Sequence, residues 1–311
     1  MRYRPRSEDF ESFLDALNDA ATQIPAPVTA DAPPSAQITG LPRSGTTILL
    51  QLLARTGRVG YPSNVMAFFH RAPWVGARLQ AQLALAGPTL SMSSLGGRTR
   101  EPLDPHEFGY FWRRVCGHSS NSLERDLEPP PYSDVQAELD AVAAVFEAPV
   151  VYKNFLALAH TDEMRAGLDR MRFLVVERNL VDVAASLLSL RAQIGAGPDD
   201  AIGVQTGSRG ISPGTLVDRV ARQVVDLDRR QRACGFSGAD DTLVVSYDAL
   251  SANPRAEVGR ALAFLGADGE GLDALPAELP RGRGRSSLNA QDRGDLEFAL
   301  ARAYDDGGTD A

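Results

Sequence analysis

Residues 40–47, reading GLPRSGTT, constrain this chain more than any other stretch. They follow a short strand-like run, 36–39, and open an apolar helix, 46–55, that Gly57 can end. A turn in that position aims the unpaired N–H groups of a helix start, with their partial positive charge, at one point, and so holds a phosphate-like anion. Gly40 and Gly45 permit turn conformations that side chains resist, and Pro42 stiffens the entry. Ser44, Thr46 and Thr47 add hydroxyls beside the amides, and Arg43 adds a planar cationic fork. The spacing matches the start of the nucleotide-binding pattern GxxxxGKS/T, but Thr46 stands where the lysine belongs, which counts against an ordinary ATPase or kinase. The plain structural alternative is a tight Gly-Pro turn with a Ser/Thr helix cap.

Strand-like and helix-like runs alternate along the rest of the chain. Residues 71–85 have helical character, and Leu139, Val142, Ala143 and Phe146 mark a helix that stops before Pro149. Residues 150–155 read as the next strand. Phe173 begins a continuous apolar run that ends in charge at Glu177, as in a strand covered on both faces, and helical period returns over 180–191. A long helix over 216–234, a strand over 242–246 and a helix over 254–265, with Pro254 in its first turn, complete the series. The alternation predicts an α/β, P-loop-like three-layer fold with a central parallel sheet flanked by helices, and such sheets bind ligands beyond the carboxyl ends of their strands. Residues 1–34 divide into a helix over 7–21 and a Pro- and Ala-rich linker, 35–304 form the main domain, and 305–311 are expected to be a disordered tail. The irregular stretch 88–105, with Gly96 and Gly97, has the length of a functional loop such as a substrate lid.

Composition excludes several classes. A net charge of −8 argues against an extended nucleic-acid surface. No window reaches the roughly 18 apolar residues of a membrane span, and the N-terminus lacks the apolar core of a secretory signal, so a cytoplasmic address is expected. Cys116 and Cys234 lie far apart without metal-ligand spacing, and both read as buried small hydrophobes rather than a disulfide or zinc framework. Of the 32 lysine and arginine residues only Lys153 is a lysine. Where a mere positive charge suffices this chain uses arginine, which singles out Lys153 unless it survives by chance.

The segment FLVVERNLVDVAAS, 173–186, repeats the strand–turn–helix architecture. Asn179 caps the helix, with Asp182 in its first turn, leaving Arg178 at the strand's carboxyl end, beside the first loop if the two strands are neighbours. Ser186 lies about two turns into the helix on the side of Asp182. Arg178 and Ser186 would then grip a second anion; the bland alternative is a surface pair of Arg178 with Asp182, worth under about 1 kcal/mol.

Two anion sites suit a ligand with phosphates at both ends, and the residues resemble a known family. GLPRSGTT ahead of an apolar helix looks like the 5'-phosphosulfate loop of sulfotransferases that use 3'-phosphoadenosine 5'-phosphosulfate, PAPS, in the Arg form of the tyrosylprotein and bacterial branches. Arg178 and Ser186 match that family's 3'-phosphate pair. Ser246-Tyr247-Asp248, with Asn253-Pro254 and a helix after it, resembles the segment whose tyrosine lies near the adenine, and Val151-Tyr152-Lys153-Asn154 resembles the strand whose lysine touches the transferring sulfuryl group. The resemblance runs from about residue 36 to 266.

It implies an in-line transfer of a sulfuryl group from PAPS to a hydroxyl or amine, leaving the bisphosphate PAP and needing no metal. Arg43, Ser44, Gly45, Thr46 and Thr47 would hold the 5'-phosphosulfate, with Arg178, Ser186 and Tyr247 on the rest of the donor. Lys153 would meet the oxygen on which charge develops. The glutamate that follows the loop in the tyrosylprotein branch has no counterpart in YPSNVMAFFHRAP, so the general base falls to Glu107 or His106, which otherwise form the polar start of an aromatic helix. His70, Phe69 and Phe111 are candidates for an acceptor pocket, with packing in the core as the alternative. The loop 281–289, RGRGRSSLN, loosely resembles one that closes over PAPS, with Arg285, Ser286 and Ser287 as ligands, or is a solvated arginine run. The acceptor class stays open among small molecules, lipids and carbohydrates, and so does the oligomeric state. The rival readings are a magnesium-dependent P-loop kinase or NTPase and a nucleotide-binding protein of the same fold without chemistry.

Overall fold

Four short strands, β1 (Ser35–Gly40), β2 (Val150–Lys153), β3 (Met171–Glu177) and β4 (Thr242–Ser246), pair in parallel in the order β2-β1-β3-β4. The computed structural model describes residues 7–85, 90–94, 96–120, 125–197, 214–280 and 289–306. Between and around the strands run α1 (Glu8–Ala21), α2 (Thr46–Thr56), α3 (Pro73–Ala84), α4 (Gly109–Cys116), α5 (Tyr132–Phe146), α6 (Thr161–Gly167), α7 (Leu180–Ile194), α8 (Leu216–Ala233), α9 (Tyr247–Ala252), α10 (Pro254–Leu265) and α11 (Ala290–Asp306). The expected parallel sheet between helical layers is present.

Side-chain alternation along the strands sorts the two cores. Ala36, Ile38, Val151, Leu174, Val176 and Val245 face α2, α9 and α10, where Leu49, Leu53, Leu250, Val258 and Leu262 cover them. Tyr152, Phe173 and Val175 point the other way, into a larger core built by α4 to α8 and α11. β1, β2 and β3 are thus covered on both faces, as parallel sheets require, while the edge strand β4 is half-buried. Cys116 and Cys234 are free and buried, and burial pushes the Cys116 thiol up to about 12, which keeps it protonated.

Several boundaries differ from the expectation, each for a local reason. β2 stops at Lys153 because Asn154 turns the chain, its Oδ1 accepting from the amide of Leu156 to start a 3-10 turn over Phe155–Ala159. α6 and α9, of seven and six residues, are too short to register as periodicity. α11 begins after the Arg/Gly loop and lays Leu296, Ala299, Leu300 and Ala303 into the larger core. It also takes in Asp305 and Asp306, which the expected tail included. α1 is tied to the domain through Asn18, which donates to the carbonyl of Phe68 and accepts from the amide of Arg71. No described helix is long and apolar enough to cross a membrane.

Candidate active site

The chain leaves all four strands at the same edge of the sheet, and there the chemistry-bearing residues collect. Gly40 pairs with Val176 and Glu177 with Ser246, which puts the GLPRSGTT loop, Arg178 and Tyr247 side by side. Lys153 pairs with Ile38, two positions short of Gly40. Its side chain shares the parity of Val151 and so leaves the sheet on the α2 side.

The loop is wound tightly. Gly40 has φ 149°, and a Cβ there would lie 2.6 Å from the carbonyl of Val176 and 2.8 Å from Ser44 Oγ. Gly45 has φ 111°, and the ring of Tyr247 fills the space where its side chain would be. Arg43 adopts φ 71°, a conformation that costs a non-glycine residue on the order of 1 kcal/mol and recurs at ligand-binding turns. Gly45 stands at the cap of α2 without a side-chain hydrogen bond to the helix start, and the Ser44 hydroxyl is buried without a partner.

Arg43 and Arg178 converge beside this turn. The Arg178 Nη1 donates to the Arg43 carbonyl at 2.8 Å, and its guanidinium lies 4.2 Å from the Tyr247 ring centre. The Arg43 Nε donates to Ser186 Oγ at 3.1 Å. Arg43 is held below its ordinary value by burial and then by Arg178, and Arg178 Nε is buried without a partner. Two cations crowded this way, with unsatisfied donors around them, are stabilised by an anion. Arg178 does not pair with Asp182: that carboxylate is buried and lies 3.5 Å from Arg293 Nη1, while Asn179 caps α7.

Lys153 is buried and forms an ion pair with Glu107, one-third exposed at the mouth of the site. Two features aim Glu107. The Asn154 Nδ2 donates to the Glu107 carbonyl at 3.2 Å, and Phe108 takes φ 54°, unusual for so bulky a residue. That twist drives its ring into the core against Phe111, with ring centres 4.8 Å apart, while Glu107 turns toward Lys153. Gly97 completes the group. A Cβ on it would lie 2.8 Å from Glu107 Oε1, 3.3 Å from Thr47 Oγ1 and 3.5 Å from Lys153 Nζ.

Residues 34–270 match the model of the sulfotransferase family, most of the chain. The chain belongs to that family. Its fold is similar to that of sulfotransferase STF1 from Mycobacterium tuberculosis H37Rv, at 16% identity and TM-score 0.50 over 93% of this chain and 80% of that one. Sulfotransferase STF9 from Mycobacterium avium (11% identity, TM-score 0.48, 94% and 72% covered) and the sulfotransferase domain of the Synechococcus PCC 7002 olefin synthase (17%, 0.45, 89% and 98%) are more distant likenesses. No curated protein matches in sequence.

The remaining residues singled out in this sulfotransferase divide. His106 lies next to Glu107, but its Nδ1 accepts from the Phe108 amide and so helps form the turn. Phe111, expected in an acceptor pocket, is instead fully buried between the rings of Phe108, Trp112 and Tyr152, because the inward face of α4 must cover the sheet. His70 is buried with its ring 5.1 Å from Tyr110, and Phe69 packs with Trp74 and Ala141. The described ring contact of His70 is thus with α4, and Phe69 packs against α1, α3 and α5. Arg285, Ser286 and Ser287 lie outside the described residues. Sequence reasoning placed Gly97 in a loop of lid-like length without bringing it to Lys153, and gave no role to the Asn154 bond with Glu107. The adjacent glycines in a long loop and the polar residue beside the only lysine were the available signals.

Proposed function

We propose that this sulfotransferase takes its sulfuryl group from PAPS and moves it to a hydroxyl or amine of a small-molecule, lipid or carbohydrate acceptor, without a metal ion. The observation that carries the reading is the convergence of Arg43, Arg178 and Ser186 beside the GLPRSGTT turn, two cations without a described acid between them. Single-anion donors need one such cradle; a donor phosphorylated at both ends uses the turn and the arginine pair together. The unpartnered Ser44 hydroxyl and Arg178 Nε fit that demand.

PAPS supplies an activated sulfuryl group on a good leaving phosphate. The α2 amides with the hydroxyls of Ser44, Thr46 and Thr47 would hold the phosphosulfate end, and Arg43, Arg178 and Ser186 the 3'-phosphate, with the Tyr247 ring beside the nucleoside. Arg43 thereby joins the two sites instead of serving the first alone. Lys153, a compact three-donor charge, follows the oxygen on which charge develops better than a rigid guanidinium does. Glu107 takes the acceptor's proton, held in place by Asn154 and by its ion pair with Lys153.

Incubating the protein with PAPS, EDTA and a panel of phenols, alcohols and amines tests this reading through acceptor-dependent release of PAP. A strict magnesium requirement with nucleoside triphosphates as donors supports the kinase reading instead.

A further inference from the structure

A glutamine stands where the sheet calls for an apolar side chain. Gln37 of β1 is fully buried, paired with Tyr152 of β2 on one side and Phe173 of β3 on the other, and it shares its face of the sheet with those two rings. An amide in such a layer costs free energy unless it is hydrogen-bonded, and only half of this one is. Its Nε2 donates to the Ile38 carbonyl at 3.2 Å and to the Asn154 carbonyl at 3.1 Å, while its Oε1 is buried without a partner among the described residues. The two carbonyls decide which end of the amide faces them, because turning it over would set oxygen against oxygen.

The bond to Asn154 leads into the site. The register of β1 with β2 ends at Ile38 and Lys153, so the Gln37 amide takes hold of the chain just past the paired residues. Asn154 has an extended backbone there; its Oδ1 accepts from the Leu156 amide at 2.9 Å and its Nδ2 donates to the Glu107 carbonyl at 3.2 Å. The Gln37 side chain thus fixes the Asn154 peptide, and the Asn154 side chain fixes the Glu107 backbone beside Lys153.

We propose that Gln37 is a positioning residue for the base. It touches no reacting atom. Through Asn154 it sets where the Glu107 carboxylate stands relative to Lys153, and it ties that pair to β1, the strand that ends in Gly40 of the GLPRSGTT loop. The donor cradle and the base are thereby held from one strand, which offsets the cost of an amide at a position an apolar residue would fill better. The inference rests on the PAPS reading with Glu107 as base.

Gln37→Met keeps the reach of the side chain and removes both bonds. With PAPS and the most active acceptor of the phenol, alcohol and amine panel, turnover should fall by about tenfold, the upper worth of one such hydrogen bond, while KM for PAPS and affinity for PAP stay within about twofold. In a Glu107→Gln background no carboxylate is left to place, so the same substitution should change the residual turnover by less than about twofold. Unchanged turnover in Gln37→Met overturns the proposal. So does a loss that persists in full in the Glu107→Gln background, or one accompanied by an equal loss of PAP affinity, since either marks a general loosening of the sheet. If Gln37→Met fails to fold, Gln37→Val, a residue suited to strands, must give the same pattern and is judged by the same outcomes. A wild-type protein that binds no PAP removes the PAPS reading and the role of Gln37 together. One that binds PAP and turns over, with neither Gln37 variant impaired, removes the role of Gln37 alone.

Discussion

Lys153 Nζ and Glu107 Oε1 form an ion pair across 46 residues of sequence, joining the end of β2 to the turn that opens α4. The lysine is almost wholly buried and the carboxylate is not, so the pair presents its acidic side to whatever enters the site. Removing one partner of such a pair does more than delete a contact, because the buried charge that remains loses its counter-charge.

Lys153→Ala is expected to lower turnover by about 100-fold to 1,000-fold, as loss of a charge-stabilising donor does, while PAP binding changes little. Lys153→Arg should restore little, since the guanidinium is larger and less able to follow a moving oxygen. Steady-state release of PAP measures both; a Lys153→Ala protein with normal turnover removes the lysine from the chemistry.

Glu107→Gln and His106→Gln, assayed separately, separate the two candidate bases. We favour the glutamate as base, because the imidazole Nδ1 accepts from the Phe108 amide. Turnover should fall by about 100-fold or more in Glu107→Gln, the usual worth of a positioned base. His106→Gln should keep most of its activity, and the reverse order exchanges their roles.

Arg178→Ala and Ser186→Ala should weaken PAP binding selectively. A hydrogen bond to a charged group is worth about 1.5–3 kcal/mol, so removing Arg178 should cost about 10-fold to 100-fold in affinity for PAP. Affinity for AMP, which lacks the 3'-phosphate, should hardly change. Equal losses for the two nucleotides place Arg178 elsewhere on the ligand.

Much of this arrangement was legible in the sequence because it depends on local rules. Gly40 and Gly45 mark a turn, Asn179 a helix cap, and the apolar run from Phe173 a buried strand; each requirement is met within a few residues of the signal. The acceptor side was less legible. Phe69, His70 and Phe111 have the aromatic character of a pocket wall, but burial is set by neighbours distant in sequence, and the sheet claims Phe111. The position of Gly97 near Lys153 depends on a loop held at Glu101, whose carbonyl accepts from Asn64 and whose amide donates to Asp104, which no periodicity announces. Arg43 was read as part of the first anion site from its place in the loop; its side chain reaches Ser186 because Arg43 takes a left-handed conformation.

A pair of buried histidines predicts a pH effect on stability. His118 Nε2 and His160 Nε2 lie 2.7 Å apart, and His160 Nδ1 faces Arg125 at 3.1 Å and Glu163 at 3.2 Å. Burial holds His160 below the ordinary imidazole range; Arg125 and His118 push the same way and Glu163 opposes them. The unfolded chain therefore binds the proton first, so this contribution is intact above about pH 6.5 and is lost as pH falls through the lowered folded value. Urea unfolding at several pH values should show a smaller acid-side loss in His160→Gln than in the wild type. Identical pH slopes contradict this assignment.

The two-anion donor site is tested most directly by titrating the purified protein calorimetrically with PAP and with ATP, each in EDTA and in magnesium. The account predicts one PAP site, indifferent to EDTA, with affinity at least about tenfold above that for ATP, the equivalent of one charge-assisted contact. ATP bound as tightly as PAP, or PAP bound only with magnesium present, would contradict it.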